Sequence, residues 1–214
     1  MKTKQAVEKL DLRKRYKDLY APPAKVVQEV DVPDLLFTML DGTVEAGTGP
    51  SDSEGFRQSM EAMYGVAYGL KFMSKLRDDD PIDFTVMAVE GLWETESVGF
   101  EPEGGDDLLY TLVMLQPDHI TDEMLSSVVS EANYKRPNPA LGKVRLERWR
   151  EGRSIQIMHV GPYSEEPRTI RLMEDFAAEL GYQHRGRHHE VYLGDPRRAK
   201  PDNLKTILRQ SIEA

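Results

Sequence analysis

Two periodicities alternate along the chain, and they mark out strands and helices in a repeating order. "DLLFTMLDG" (34–42) is a short run of bulky residues closing on an Asp-Gly turn, which predicts a strand. After the loop "TVEAGTGPSDSEG" the period changes, and Phe56, Met60, Met63, Ala67 and Leu70 recur near helical spacing. That stripe predicts a long helix over 53–76, with Ser51, Asp52 or Ser53 as N-cap and "RDDDP" as its end. "FTVMAVEGLWE" (84–94) and "LLYTLVMLQP" (108–117) predict two strands joined by the loop "SVGFEPEGGDD" (97–107). A connecting helix is expected over 120–136, stopped by "PNPALG".

The order then recurs. "KVRLERWREG" and "SIQIMHVG" (143–161) predict a hairpin turning at Glu151-Gly152. "SEEPRTIRLMEDFAAELG" (164–181) predicts a helix burying Ile170, Met173, Phe176, Ala177 and Leu180 and ending on Gly181. "HHEVYLGDP" (188–196) and "LKTILRQSIE" (204–213) are the last two strands. Each half therefore runs strand, helix, strand, strand. "FTMLDG" matches "IQIMHVG", and "MAVEGLW" matches "HHEVYL", which sets Glu90 against Glu190.

The expected fold is α+β: duplicated βαββ units forming one antiparallel sheet, with both helices on one face. A ligand groove is expected on the opposite, concave face, with the two glutamates related by a pseudo-twofold axis. Residues 1–33, interrupted by Pro22, Pro23 and Pro33, are expected to form an extended N-terminal arm. The domain proper is then 34–214, comprising a first repeat 34–118, a connecting helix within 119–142 and a second repeat 143–214.

Glu190 is the first candidate for chemistry. A carboxylate within a half-buried strand is costly unless a partner, a proton or a ligand offsets its desolvation. Alternation places His188, Glu190 and Tyr192 on one face; the plainer alternative is a solvated polar face. Trp93, Tyr110 and Tyr192 belong to three predicted strands, each near a candidate glutamate or its strand partner. Gly91 permits a bulge that would decide which side Trp93 takes, groove or core. Tyr64 and Tyr68, four apart on the first helix, share a face that either edges the pocket or packs on the sheet. Glu166 falls in the first turn of the second helix, where a carboxylate favours the helix dipole, and it also falls near the pocket rim.

Composition narrows the functions that remain. The 214 residues include no cysteine, which excludes disulfides, thiolate catalysis and cysteine zinc sites. A net charge of −9 argues against general affinity for nucleic acid. No secretory h-region and no apolar run of roughly 20 residues is present, so no membrane partner is expected and the location is expected to be cytoplasmic. His184, His188 and His189 cluster without a third ligand on one face, so no metal is expected. No phosphate-loop lysine or other cofactor pattern appears.

Several stretches together resemble the GyrI-like small-molecule-binding proteins: "DVPDLLFTMLDG", "MEAMYGVAYGLKF", "VEGLW", "IQIMHVGPYSEEP", "HHEVYLGDPRR" and "LKTILRQ". The match is closest to a stand-alone bacterial branch that includes cyclopropanoid cyclopropyl hydrolases. The resemblance implies paired βαββ units around a shared groove, with Glu190 central in an aromatic-lined pocket. In drug-binding relatives an acidic group there meets cationic or polarised ligands; in the hydrolase branch carboxylate and aromatic residues direct water onto a strained cyclopropane. The loop after "DG" is longer here than is usual in that branch, which bears on substrate identity. Expected catalytic residues are Glu190 and Glu90. The substrate-binding set is Trp93, Tyr110, Tyr192, Tyr64, Tyr68, His188 and Glu166. The expected partner is a planar, apolar or cationic small molecule. Non-catalytic sequestration, and a protein-binding module of gyrase-inhibitor type, are the alternatives.

Overall fold

Strand pairing in the computed structural model, which describes residues 7–95, 106–196 and 198–213, closes on itself. In chain order come β1 (Glu8–Leu10), α1 (Leu12–Arg15), α2 (Lys17–Tyr20), β2 (Gln28–Val44), α3 (Glu54–Leu76), β3 (Ile82–Phe84) and β4 (Glu90–Thr95). They are followed by β5 (Leu108–Gln116), α4 (Asp122–Lys135), β6 (Arg145–Val160), α5 (Glu166–Leu180), β7 (Gln183–Tyr192) and β8 (Lys205–Glu213). Six strands form a closed antiparallel barrel in the order β2-β5-β4-β7-β8-β6. Within each half the first strand pairs with the last and the last with the middle one, giving β2-β5-β4 and β6-β8-β7. The duplicated βαββ unit is therefore present, and its copies join at two seams, β4 with β7 and β2 with β6.

The helices begin and end where their capping chemistry dictates. The Ser53 side chain accepts from the Phe56 amide at the start of α3, and Ala62, Met63, Val66, Ala67 and Leu70 form its buried stripe. Thr121 caps α4 in the same way. Gly181 ends α5 in the left-handed conformation, φ 72°, with its amide returning to the last turn. No helix among the described residues is long and apolar enough to cross a membrane.

Directly paired residues share a face, so the ladder fixes what lies inside the barrel and what lies outside. Leu208 pairs with Ile157 and Glu190 and packs with Met173 and Ala177 of α5. Tyr110 pairs with Trp93, and both rings meet Phe56 of α3. Both helices thus cover the outer face of the barrel, the same face that carries Glu190. This corrects the expectation that the glutamate would project from the side opposite the helices. Val191, which pairs with Glu90, points into the barrel instead.

Other sequence expectations also change. The run 143–161 is one strand rather than a hairpin: β6 stays in a single register with β2 from Gln28↔Gln156 to Met39↔Arg145. Gly152 adopts φ 78° within that ladder, so its turn signal produces a local distortion instead of a reversal. The run 84–94 is split, because Ile82–Phe84 pairs in parallel with β1 outside the barrel. Met87, Ala88 and Val89 are buried without joining a strand; packing alone accounts for their apolar character. Residues 7–33 include β1, two short helices and the start of β2. Most of the 97–107 loop lies outside the described residues.

Candidate functional site

The outer face of the β4–β7 seam, between α3 and α5, gathers most of the candidate residues. In the register Gly91 lies opposite Glu190 and Trp93 opposite His188. The ladder is regular through Gly91, so no bulge occurs there; the glycine is required for a different reason. A Cβ at Gly91 would lie 2.5 Å from Trp93 Nε1 and 2.9 Å from the Tyr192 hydroxyl. The indole crosses that bare backbone and donates to Tyr192 Oη at 2.7 Å. Tyr192 in turn hydrogen bonds Glu190, and burial, then the nearby Glu190 charge, hold its phenol well above the usual range. His188 Nε2 lies 3.4 Å from Glu190 Oε1.

The α3 wall is built by the same device. The Tyr110 ring lies over Gly42, where a Cβ would come within 2.2 Å of it. Its hydroxyl is 2.9 Å from Ser59 Oγ, which itself donates to Gly55 O at 2.9 Å. Phe56, from the first turn of α3, stands 5.5 Å from Trp93 and 5.1 Å from Tyr110 between ring centroids. Three aromatic rings therefore meet on this side.

The α5 wall supplies ionisable groups. His159 Nδ1 is 2.8 Å from Thr169 Oγ1, and Nε2 donates to Pro162 O at 3.2 Å, fixing the entry to the 3₁₀ turn Tyr163–Glu165. Tyr163 stands edge-on to Tyr192, 6.1 Å between centroids and 84° between planes. Glu166, the first residue of α5, is buried and hydrogen bonded to Thr206. Burial, and then the charge of Glu190, push its pKa up to about 9. Glu166 therefore carries its proton at neutral pH. Its Oε1 is buried with no hydrogen-bond partner among the described residues. Tyr64 lies near enough to Tyr163 to act on its ionisation. Tyr68, one turn further along α3, is exposed.

Glu90 is not part of this groove. Its side chain points into the barrel, where it accepts from the Tyr20 hydroxyl at 2.8 Å and meets His189 Nε2 at 2.9 Å. His189 Nδ1 is 3.1 Å from both Glu151 oxygens, so the ring donates to carboxylates from both nitrogens. Burial opposes the imidazolium, but Glu151 and Glu90 prevail and the pKa is raised. Arg209 completes the cluster, donating to Glu151 at 3.3 Å, to Gln156 at 3.0 Å and to Leu19 O at 2.7 Å. Glu90 thus has a structural environment, and the expected pairing of Glu90 with Glu190 in one site is replaced by Glu166 with Glu190. Sequence reasoning did not single out Tyr163, although it falls in "GPYSEEP" three residues before Glu166; nor did it separate Phe56 from the core stripe.

Aromatic and acidic side chains gathered on one face of β4 and β7, beside α3 and the start of α5, suit a small-molecule-binding domain. The chain belongs to the family of the GyrI-like small molecule binding domain, whose model matches residues 83–209. Among solved structures, an uncharacterized conserved protein from Listeria innocua is 36% identical, with a TM-score of 0.85 over 95% of this chain and 100% of that one. A hydrolase from Listeria innocua is 35% identical, with a TM-score of 0.81 and the same coverage. The EcmrR C-terminal domain, 9% identical with a TM-score of 0.52 over 88% of this chain and 97% of its own, shares the fold alone. No curated protein matches the sequence.

Proposed function

We propose that the protein is a hydrolase that opens the activated cyclopropane of planar, DNA-alkylating natural products, removing their reactivity. The observation that carries this reading is the pair Glu166 and Glu190, one carboxyl held protonated beside another in an aromatic groove. Similarity to a hydrolase at 35% identity supports hydrolytic chemistry. The rings of Phe56, Trp93 and Tyr110 favour a flat, apolar body.

The step is an addition of water. Glu190 accepts one water proton as the water oxygen bonds to a cyclopropane carbon. The strained C–C bond breaks, and its electron pair passes through the conjugated ring to the dienone oxygen, which becomes a phenolate. A proton then restores the phenol. The neutral Glu166 carboxyl offers the attacking water a hydrogen bond without adding a second negative charge. Tyr192, donating to Glu190 and accepting from Trp93, fixes the direction in which the base points.

The test is incubation with a cyclopropane-bearing dienone alkylator, with products followed by mass spectrometry. Catalytic formation of the water adduct is expected, and Glu190→Gln should lower turnover by about 10²–10⁴-fold. Full activity in that variant would discard Glu190 as the base. Stoichiometric binding without product would select sequestration, a reading that the acidic groove favours for cationic ligands.

A further inference from the structure

Ring opening needs a donor that the carboxylate pair does not provide. The attacked carbon and the oxygen that becomes negative lie at opposite ends of a conjugated ring. A group that serves the water is therefore poorly placed to serve that oxygen. Hydrogen bookkeeping removes two of the groove's phenols. Ser59 gives its proton to Gly55 O, so the Tyr110 hydroxyl is the donor in its contact with Ser59. Tyr192 accepts the indole proton of Trp93, and its own proton goes to Glu190. His188 directs Nε2 toward Glu190.

Tyr163 differs from all of these. It is 39% exposed, and no hydrogen bond from its hydroxyl is present among the described residues. Its ring is nonetheless fixed, edge-on against Tyr192 and carried on a turn stapled by the His159–Pro162 contact. Its ring adjoins Tyr192, and Glu166, Glu190, Asp195 and Tyr64 all act on its ionisation, so it stands at the α5 side of the same cluster.

We propose that Tyr163 is a further catalytic residue, whose hydroxyl donates to the dienone oxygen and stabilises the negative charge that collects there as the cyclopropane opens. This rests on the hydrolase reading. A donor held in place before the reaction stabilises developing charge without reorganising. Burial, with Glu166 and Glu190 next in effect, pushes the phenol up to about 12, so it remains a donor throughout the working range. The substrate class follows: a planar ligand with a carbonyl conjugated to its strained ring, oriented with that oxygen toward the α5 turn.

The experiment compares wild type with Tyr163→Phe on a series of cyclopropane dienones whose product phenols differ in acidity. Phenylalanine keeps the edge contact with Tyr192, and retained quenching of Trp93 emission by ligand reports an intact groove. Turnover should fall by about 10²–10³-fold, the usual cost of one such donor, with KM little changed. The deficit should grow as the product phenol becomes more basic, a trend that a packing role would not produce. Equal turnover across the series, or a higher KM at unchanged kcat, would overturn the assignment. Wild-type protein inert toward every dienone would overturn the hydrolase reading and this one with it, whereas an active wild type with an unimpaired variant would overturn this one alone.

Discussion

At Gly91 the absence of a side chain does chemical work. The Trp93–Tyr192 contact occupies the space a Cβ would need, at 2.5 and 2.9 Å, so Gly91→Ala must displace one ring or the other. The expected cost is about 1–3 kcal/mol of stability, as for overpacking, together with at least a tenfold loss of ligand affinity. Titration followed by Trp93 emission checks this, in a Trp149→Phe background because Trp149 lies inside the barrel against Phe37 and His189. Glu166 makes a pH prediction. Its raised value near 9 means that the carboxyl is neutral below that pH and ionised above it. Turnover should therefore fall as pH rises through about 9. Glu166→Gln, neutral at every pH, should lose that alkaline limb while keeping measurable activity. Stability has the same sign. Glu166 favours the folded state below its ordinary 4.5 and progressively less up to about 9, so the variant should gain in melting temperature relative to wild type across that window.

Among the elements, β7 shows how much of the site alternation alone could reveal. His188, Glu190 and Tyr192 do share the groove face, as their spacing implies. The partner of Glu190 was not legible, because the match between the halves relates positions along the chain and does not set the phase across the β4–β7 seam. There Gly91, and not Glu90, stands opposite Glu190, and Glu90 falls on the inner face. Glu166 was seen as a rim residue, but its role depends on burial, which a helix-start pattern does not encode. β7 also carries a register shift between Arg185 and His189, next to Gly186 at φ 67°. A one-residue slip beyond it would exchange the two faces. His189, held between Glu90 and Glu151, opposes that exchange. Among the described residues, His189→Leu leaves Glu151 with Arg209 as its cation and Glu90 with the Tyr20 hydroxyl alone, and the expected loss is about 3–5 kcal/mol, checked by thermal unfolding. The imidazolium contribution is complete below the ordinary histidine value of 6.5 and is lost as pH rises through the raised folded value. The destabilisation should accordingly be largest at acidic pH and shrink on the alkaline side.

For the molecule as a whole, the recurrence of strand, helix, strand, strand was visible in the order of periodicities, and the antiparallel sheet followed from it. Closure into a barrel was not visible, because β2 and β6 join only through a pairing between distant segments that no local pattern announces. The N-terminal residues belong to this closure: Tyr20 reaches Glu90, Arg209 holds Leu19 O, and Gln156 donates to Asp18 O at 2.6 Å. The two halves have also divided their labour across the groove. The first contributes Phe56, Trp93 and Tyr110 and the second contributes Tyr163, Glu166 and Glu190; on the proposed reading the former hold a flat ligand and the latter handle protons. An ancestral duplication would make each wall a separately inherited module. On the proposed hydrolase reading, drift in the first wall would alter which scaffolds are captured while the reactive end stays intact, so the range of ligands would change one wall at a time.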